Sequence, residues 1–415
     1  MNGQGVENIR RAMLEAYAAG VQAVDGERVT EAWLTERSPS EAVAVIALGK
    51  AAGAMARGAQ RALGEKLDRG FVVTKAGHAD VDGLGPERFT VVEASHPVPD
   101  ERSLAAGQAL LDFVGSIPAA MPVVVLISGG ASALVEVPAD GVTLDDLARV
   151  NSWLLGNGIP IGQMNAVRRR LSLIKGGGLA RLLAPRAVTG LLISDVAGDE
   201  PAVIGSGPLT LPTVSELPNG LPDWLQALLA KTQSRAGADA FATAAAPPDV
   251  HVIARLDDAL DAAAQSLTAA GLAVHRHAQH VDAALDEVVD VVAHVSRAAL
   301  GEIQLWGGEA TLVLPEAPGR GGRNQQLALR LAVEIAGDAP AVALSAGTDG
   351  TDGPTGDAGA VVDNQTIARG AVQGLAADDF LRRADAGRYL EESGDLITTG
   401  PTGTNVTDLI MAWRG

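Results

Sequence analysis

Residues 42–63 read AVAVIALGKAAGAMARGAQRAL. The opening run, Ala42 to Leu48, is apolar throughout and carries β-branched Val and Ile, as a strand buried on both faces requires. Gly49 ends it, and an Ala-rich helical pattern follows. A strand that runs through a glycine turn into a helix is the repeating unit of an α/β protein. The same passage from β-rich run to glycine or small polar residues recurs in FVVTKAGHA from Phe71, MPVVVLISGGASALVEV from Met121 and AVTGLLISDVAGDEPAVIGSGP from Ala187. This alternation predicts a mostly parallel sheet with helices on both faces.

The 415 residues are long for one domain and comfortable for two. The expected fold class is α/β in two domains: an N-terminal Rossmann-like, doubly wound, mostly parallel sheet over residues 1–240 and a C-terminal α/β domain over 241–415. The boundary is placed near the end of a stretch poor in strand signals and rich in Pro, Ala and Gly, around residues 240–250. A second alternating series follows, with VHVIARL and LAVHRHAQ read as strands around a helix and EIQLWGGEATLVLP as two strands joined at Gly307 and Gly308. The helix RNQQLALRLAVEIAG, the strand AVALSAG and the apolar run DLIMAW complete it.

A net charge of −18 repels a nucleic-acid backbone, so any anionic ligand needs local cations. The absence of cysteine excludes disulfides, thiolate metal sites and a Cys nucleophile, and it fits a cytoplasmic location. The first twenty residues carry acids and arginines in an amphipathic pattern, which reads as a helix without a signal peptide. No apolar run is long enough to span a bilayer. Whether copies of the chain associate as a homo-oligomer is left open.

Lysine occurs at positions 50, 66, 75, 175 and 231 only, so a lysine in a glycine loop is conspicuous. Lys50 follows a strand and opens a helix, where backbone N–H groups and the helix dipole favour an anion. Lys175 precedes Gly176, Gly177 and Gly178, which interrupt the helical pattern of residues 162–183. Ser128, Gly129, Gly130 and Ser132 occupy a strand-to-helix turn that can offer backbone donors to a phosphate or carboxylate, although for this turn taken singly glycine for geometry alone is the better explanation. Arg320 and Arg323 flank glycines before a helix, where a guanidinium can grip a carboxylate or phosphate with two hydrogen bonds.

Downstream, SAGTDGTDGPTGDAGAVVD (345–363) sets Asp349, Asp352 and Asp357 among glycines after an apolar run. Its spacing is wrong for an EF-hand calcium loop, whereas magnesium needs only one or two carboxylates with phosphate oxygens, which Asp349 and Asp352 can supply. Asp195, after another strand, is positioned for metal or base duty. There is no G-x-x-x-x-G-K-[ST], and GNGIPIG at Gly156 has the wrong spacing for a dinucleotide fingerprint. HRHAQH (275–280) reads as a hydrophilic edge strand rather than a transition-metal site.

Taken in order, ALGKAAGAM, EASHPVPDERSLAAG, LISGGASAL, MNAVRRRLSLIKGGGLA, LISDVAGDEPAVIGSGP, GGEATLVL, GRGGRNQQLAL, SAGTDGTDGPTGDAGAVVD and TGPTGTNVTDL resemble the glycerate 2-kinases of the two-domain type, whose C-terminal part is called the MOFRL domain. The resemblance covers nearly the whole chain and puts the MOFRL region at about residues 300–412. It implies transfer of the γ-phosphoryl of ATP to the 2-hydroxyl of D-glycerate, with Mg²⁺, in a cleft between the two domains.

Carried over by position, Lys50 and Arg323 match basic residues of the family's active site, with Asp195 as the hydroxyl's base or a metal partner. Ser128, Gly129, Gly130, Ser132, Lys175, Gly307, Gly308, Glu309, Asn324 and Thr348 fall in its substrate and nucleotide loops, and Asp349 and Asp352 are the expected metal ligands. One departure is Ala254-Arg255-Leu256, where the family pattern has Gly or Ser followed by Asn. The alternative is an NAD(P)H-dependent hydroxypyruvate reductase, an older label in the same family, and the missing dinucleotide fingerprint counts against it.

Overall fold

Val43–Leu48 is buried at every position and forms strand β1, which is why no polar residue interrupts the run. The computed structural model describes residues 3–78, 83–157, 159, 161–210, 216–232, 246–337 and 339–415. Beside β1 lie β2 (Leu67–Lys75), β3 (Phe89–Ala94), β4 (Val123–Ile127), β5 (Val188–Ile193) and β6 (Asp249–Ala254). Among the described residues these make a six-stranded, fully parallel sheet of order β3-β2-β1-β4-β5-β6.

That order reverses direction between β1 and β4, the place where doubly wound sheets open a crevice at the strands' carboxyl ends. On one face Ala44, Ile46 and Leu48 pack with Leu110, Val114, Leu179 and Leu183. The intervening Val45 and Ala47 are equally buried, and the helix Ala52–Leu63 lies against β1, β2 and β4. Burying apolar side chains on both faces is what holds such a sheet, since each adds about 1.5–3 kcal/mol when fully removed from water.

A second six-stranded sheet holds β7 (Ala273–Arg276), β8 (Glu302–Gly308), β9 (Ala341–Gly347), β10 (Gly359–Asp363), β11 (Leu396–Ile397) and β12 (Asp408–Arg414), in the order β11-β10-β9-β12-β8-β7. It is mixed: β7 and β8 run parallel and the other pairs antiparallel. The last strand, β12, enters between β8 and β9, so residues distant in sequence complete the centre of this sheet. The helix Arg323–Ile335 packs on it through Leu327, Leu331 and Ile335. Among the described residues no helix is long and apolar enough to cross a membrane.

The chain divides into two compact units, residues 26–254 and residues 1–25 with 255–415. This differs from the expected 1–240 and 241–415 in two places, while the boundary at 240/241 itself lies outside the described residues. VHVIARL does not open the second sheet; its residues 250–254 fall in β6, which covers the edge of β5 in the first, and Leu256 begins the next helix. The amino-terminal helix Gly3–Ala23 belongs with the later residues. Arg10 bridges Asp363 (2.6 Å) and Asp395 (2.9 Å), and the Tyr17 hydroxyl donates to the Gly347 carbonyl at 2.7 Å. Neither pairing is between sequence neighbours, so local patterns carry no trace of them.

Three smaller expectations change as well. FTVVEA forms β3, a strand the sequence reading did not single out. EIQLWGG is one strand that ends at Gly308 rather than half of a hairpin. In place of one glycine-interrupted helix, residues 162–183 give helices Ile161–Arg170 and Gly178–Leu183 around a turn. Of the histidine segment read as an edge strand, only His275 and Arg276 lie in β7, the outermost strand of its sheet; His277 follows it and stacks on Trp306 at 4.4 Å.

Replacing Arg10 by Met takes one of two arginines from Asp363 and Asp395, which also bind Arg369. The expected loss is about 2 kcal/mol, a drop of about 5 °C in this unit's unfolding midpoint. An unchanged midpoint in calorimetry would mean that Arg369 alone satisfies both carboxylates.

Candidate active site

In the unit of residues 26–254, the carboxyl ends of β1 and β4 meet through their backbones. The Lys50 N–H donates to Gly129 O (2.9 Å) and the Ser128 N–H to Leu48 O (3.0 Å). The Ser128 hydroxyl, fully buried, accepts from the Ala51 N–H at 3.0 Å and so fixes the start of the helix after β1. Glycine is required at two points of this junction. A Cβ on Gly49 would stand 2.2 Å from Ser128 Oγ; one on Gly130, where φ is +83°, would stand 3.0 Å from the His96 ring and 3.3 Å from Lys50 Cγ. Lys50 is thereby held at the sheet's switch point.

Gly130 and His96 also line a cavity of about 230 Å³. Ser132, Glu136, Arg168 and Lys175 share its wall. Lys175, 5% exposed, forms an ion pair with Oε2 of Glu136, 3% exposed. Burial pulls the Arg168 guanidinium below its ordinary pKa against the opposing charge of Glu136, and its Nε donates to Asn151 Oδ1 at 3.0 Å. The Ser132 and Ser206 hydroxyls are 2.9 Å apart, and Ser206 donates to Asn165 Oδ1. Asp195 stands just past β5, half-buried, and is not part of this cavity wall.

In the other unit, Arg323 is the first residue of its helix. Its Nε and Nη2 grip both oxygens of Asp408 (2.8 and 3.2 Å), and Nη1 reaches Glu309 Oε1 at 2.6 Å. Asp408 opens β12 opposite Gly308 on one side and Gly347 on the other. Burial by itself would lower the pKa of Arg323, but the charge and hydrogen bonds of Asp408, with Glu309 and Asp352, hold it above its ordinary value. The guanidinium stays charged.

The three aspartates among the glycines have three different tasks. Asp352, 3% exposed, accepts the N–H groups of Asn324 (3.1 Å) and Gln325 (2.8 Å), satisfying the open amino end of that helix. Asp349 Oδ1 accepts the Thr351 N–H at 3.0 Å, and a Cβ on Gly347 would stand 3.4 Å from that oxygen and 3.3 Å from Asp408 Oδ1. Asp357 binds Arg320 and the Thr398 hydroxyl.

Arg320 also pairs with Glu391, so it serves the fold. Asn324 accepts from the Ser345 hydroxyl (2.6 Å), and the buried Thr348 hydroxyl donates to Thr407 O (2.6 Å). Both expected binding residues therefore brace the loops. Gly307 and Gly308 admit close neighbours: a Cβ on them would stand 2.7 Å from Leu256 Cδ2 and 2.7 Å from Val281 N respectively.

Reasoning from sequence did not single out His96, Glu136, Asp408 or Tyr17. Burial, and then the charges of Asp349 and Asp408, push the Tyr17 hydroxyl well above its usual pKa. A lone Tyr in an amphipathic helix gives no sign of this. Among the described residues no three His, Cys, Asp or Glu side chains converge as a metal cluster.

Residues 12–218 match a family described as a domain of unknown function (DUF4147), and residues 302–408 match the MOFRL family. The chain is 34% identical over 420 residues to a D-glycerate 2-kinase of Thermotoga maritima, with 98% of each chain covered. It is 38% identical over 383 residues to a putative hydroxypyruvate reductase of Agrobacterium vitis, covering 88% of this chain and 97% of that one. A crystal structure of a glycerate kinase from Thermotoga maritima superposes with a TM-score of 0.81 at 32% identity, covering 99% of this chain and 100% of the other.

Burial raises the Asp352 carboxyl from 3.8 to about 7, against the hydrogen bonds from Gln325 and Asn324. Between those values the unfolded chain has already released a proton that the folded chain keeps, so stability falls as pH rises from about 4 to about 7. Asp352→Asn removes this contribution, and the variant's unfolding curves should show a shallower loss over that window. The same slope in both proteins would mean that folded Asp352 is ionised throughout.

Proposed function

We propose that this chain, which belongs to the glycerate kinase family that joins DUF4147 and MOFRL segments, is a glycerate 2-kinase transferring the γ-phosphoryl of ATP to the 2-hydroxyl of D-glycerate. The products are 2-phospho-D-glycerate and ADP. One observation carries the chemical side of the reading: a lysine, Lys50, stands at the switch point of a parallel sheet, fixed by the Ser128–Gly130 turn, beside a cavity of small-acid size. Phosphoryl transfer asks little covalent chemistry of a protein; it asks for positioning and for cations at the transferring group.

Lys50 is assigned as such a cation. Arg323, oriented by Asp408, whose side chain is 4% exposed, is assigned as a second. Glu309, at 47%, is the partner that an arriving phosphate or carboxylate would displace. Asp195, past the end of β5, is assigned to accept the proton leaving the 2-hydroxyl. The loops around Ser132, Lys175, Gly307 and Gly308 are assigned to ligand binding, with Ser128, Asn324 and Thr348 supporting them through their buried hydrogen bonds.

For Mg²⁺, the donor set favours Asp349 over Asp352, because both Asp352 oxygens already serve the helix amino end. One or two carboxylates suffice for this ion when phosphate oxygens complete its shell. When bound, it would neutralise charge on those oxygens.

The reductase name among the relatives favours a second reading. Against it, the turn after β1 runs Gly49-Lys50-Ala51-Ala52-Gly53, with Ala51 where the dinucleotide fingerprint has its second glycine. The deciding assay supplies D-glycerate, ATP and Mg²⁺ and uses enolase to tell 2-phosphoglycerate from the 3-isomer. Formation of the 2-isomer only with all three present supports the kinase; NAD(P)H consumption with hydroxypyruvate and no phosphoglycerate would reject it.

Lys50→Ala should lower kcat by about 10²–10³-fold with an unchanged unfolding midpoint, since a cation at the transferring group acts on rate. Near-normal turnover in that variant would remove Lys50 from the mechanism.

A further inference from the structure

One residue in the wall of the cavity beside Gly130 carries a polar atom that the protein leaves unsatisfied. Glu136 gives Oε2 to Lys175, while its Oε1 is buried without a hydrogen-bond partner. A buried acceptor in that state is costly, and native folds rarely keep one without a use. Glu136 lines the cavity, so the missing donor is one that a bound ligand can bring.

The surroundings narrow the chemistry of that donor. An ionised carboxylate only accepts, so the ligand must present an O–H or N–H. Lys175 already compensates the charge of Glu136, and Arg168 shares the wall, so a cationic amine is disfavoured and an anion welcome. At about 230 Å³ the space lies below the range of drug-sized and cofactor pockets, and suits a ligand of a few heavy atoms. A small hydroxy acid meets every condition.

We propose that Glu136 is the specificity-determining residue of the acceptor subsite: its Oε1 accepts a hydrogen bond from the hydroxyl on the carbon next to the one phosphorylated. The cavity thereby selects 2,3-dihydroxy acids over 2-hydroxy acids that lack the second hydroxyl. This rests on the kinase reading above and adds the group that chooses the substrate. A site built to bind a hydroxyl rejects the analogue without it, because the site's own polar group is then left unpaired.

The test compares D-glycerate with D-lactate, which differs by that hydroxyl. Removing Glu136 alone would strand Lys175 in the interior, so the informative variants change both members of the pair. Glu136→Leu with Lys175→Met removes the acceptor without leaving a buried charge; Glu136→Gln with Lys175→Met keeps a neutral acceptor. The measurement is the ratio of the inhibition constant of D-lactate to the KM for D-glycerate in phosphoglycerate formation.

The expected ratio is about tenfold or more in the wild type, close to one in the Leu/Met variant and intermediate in the Gln/Met variant. Equal ratios in all three proteins would overturn the assignment, as would a wild type that binds D-lactate as well as D-glycerate. A wild type that forms no phosphoglycerate would instead bring down the kinase reading, and this assignment with it.

Discussion

A charge taken out of water must be met at once by an opposite charge or by convergent hydrogen-bond donors, and that constraint organises both units. Lys175 meets Glu136 in one; Arg323 meets Asp408 in the other. Each pair joins residues from separate stretches of chain, so moving either loop would leave a charge unpaired.

Helix amino ends obey the same constraint in a less obvious way. An exposed helix start is a ready anion site, yet the helix beginning at Arg323 has its first N–H groups occupied by the buried Asp352 carboxylate. Under the proposed function, anion recognition there falls to the guanidinium rather than to the backbone. At the other sheet the turn after β1 is fixed by the Ser128 hydroxyl, and the proposed function again gives the cation's part to a side chain, that of Lys50. Both units reach one solution: a rigid, hydrogen-bonded backbone turn that holds a long basic side chain.

Much of this was legible in the residues. The runs at 43–48, 123–127 and 188–193 read as strands because a parallel sheet covered on both faces permits no polar interruption. Lys50 and Arg323 stood out through glycine context and through the rarity of lysine. The stretch 345–363 was harder: its three aspartates look equivalent in sequence, but one caps a helix, one lies beside Asp408 and one binds Arg320. Turn-forming composition is identical for all three tasks. Glu136 was hidden because its meaning depends on a partner 39 residues away.

The sequence by itself determined the alternating α/β elements, the glycine turns and the family, because hydrophobic periodicity and turn chemistry are local properties written at short spacing. Only the tertiary structure decided that the amino-terminal helix joins the later unit, that β6 closes the first sheet and that Asp408 enters between β8 and β9. Those choices satisfy strand edges and buried charges across long sequence separations. No local pattern encodes which distant edge or charge will be met.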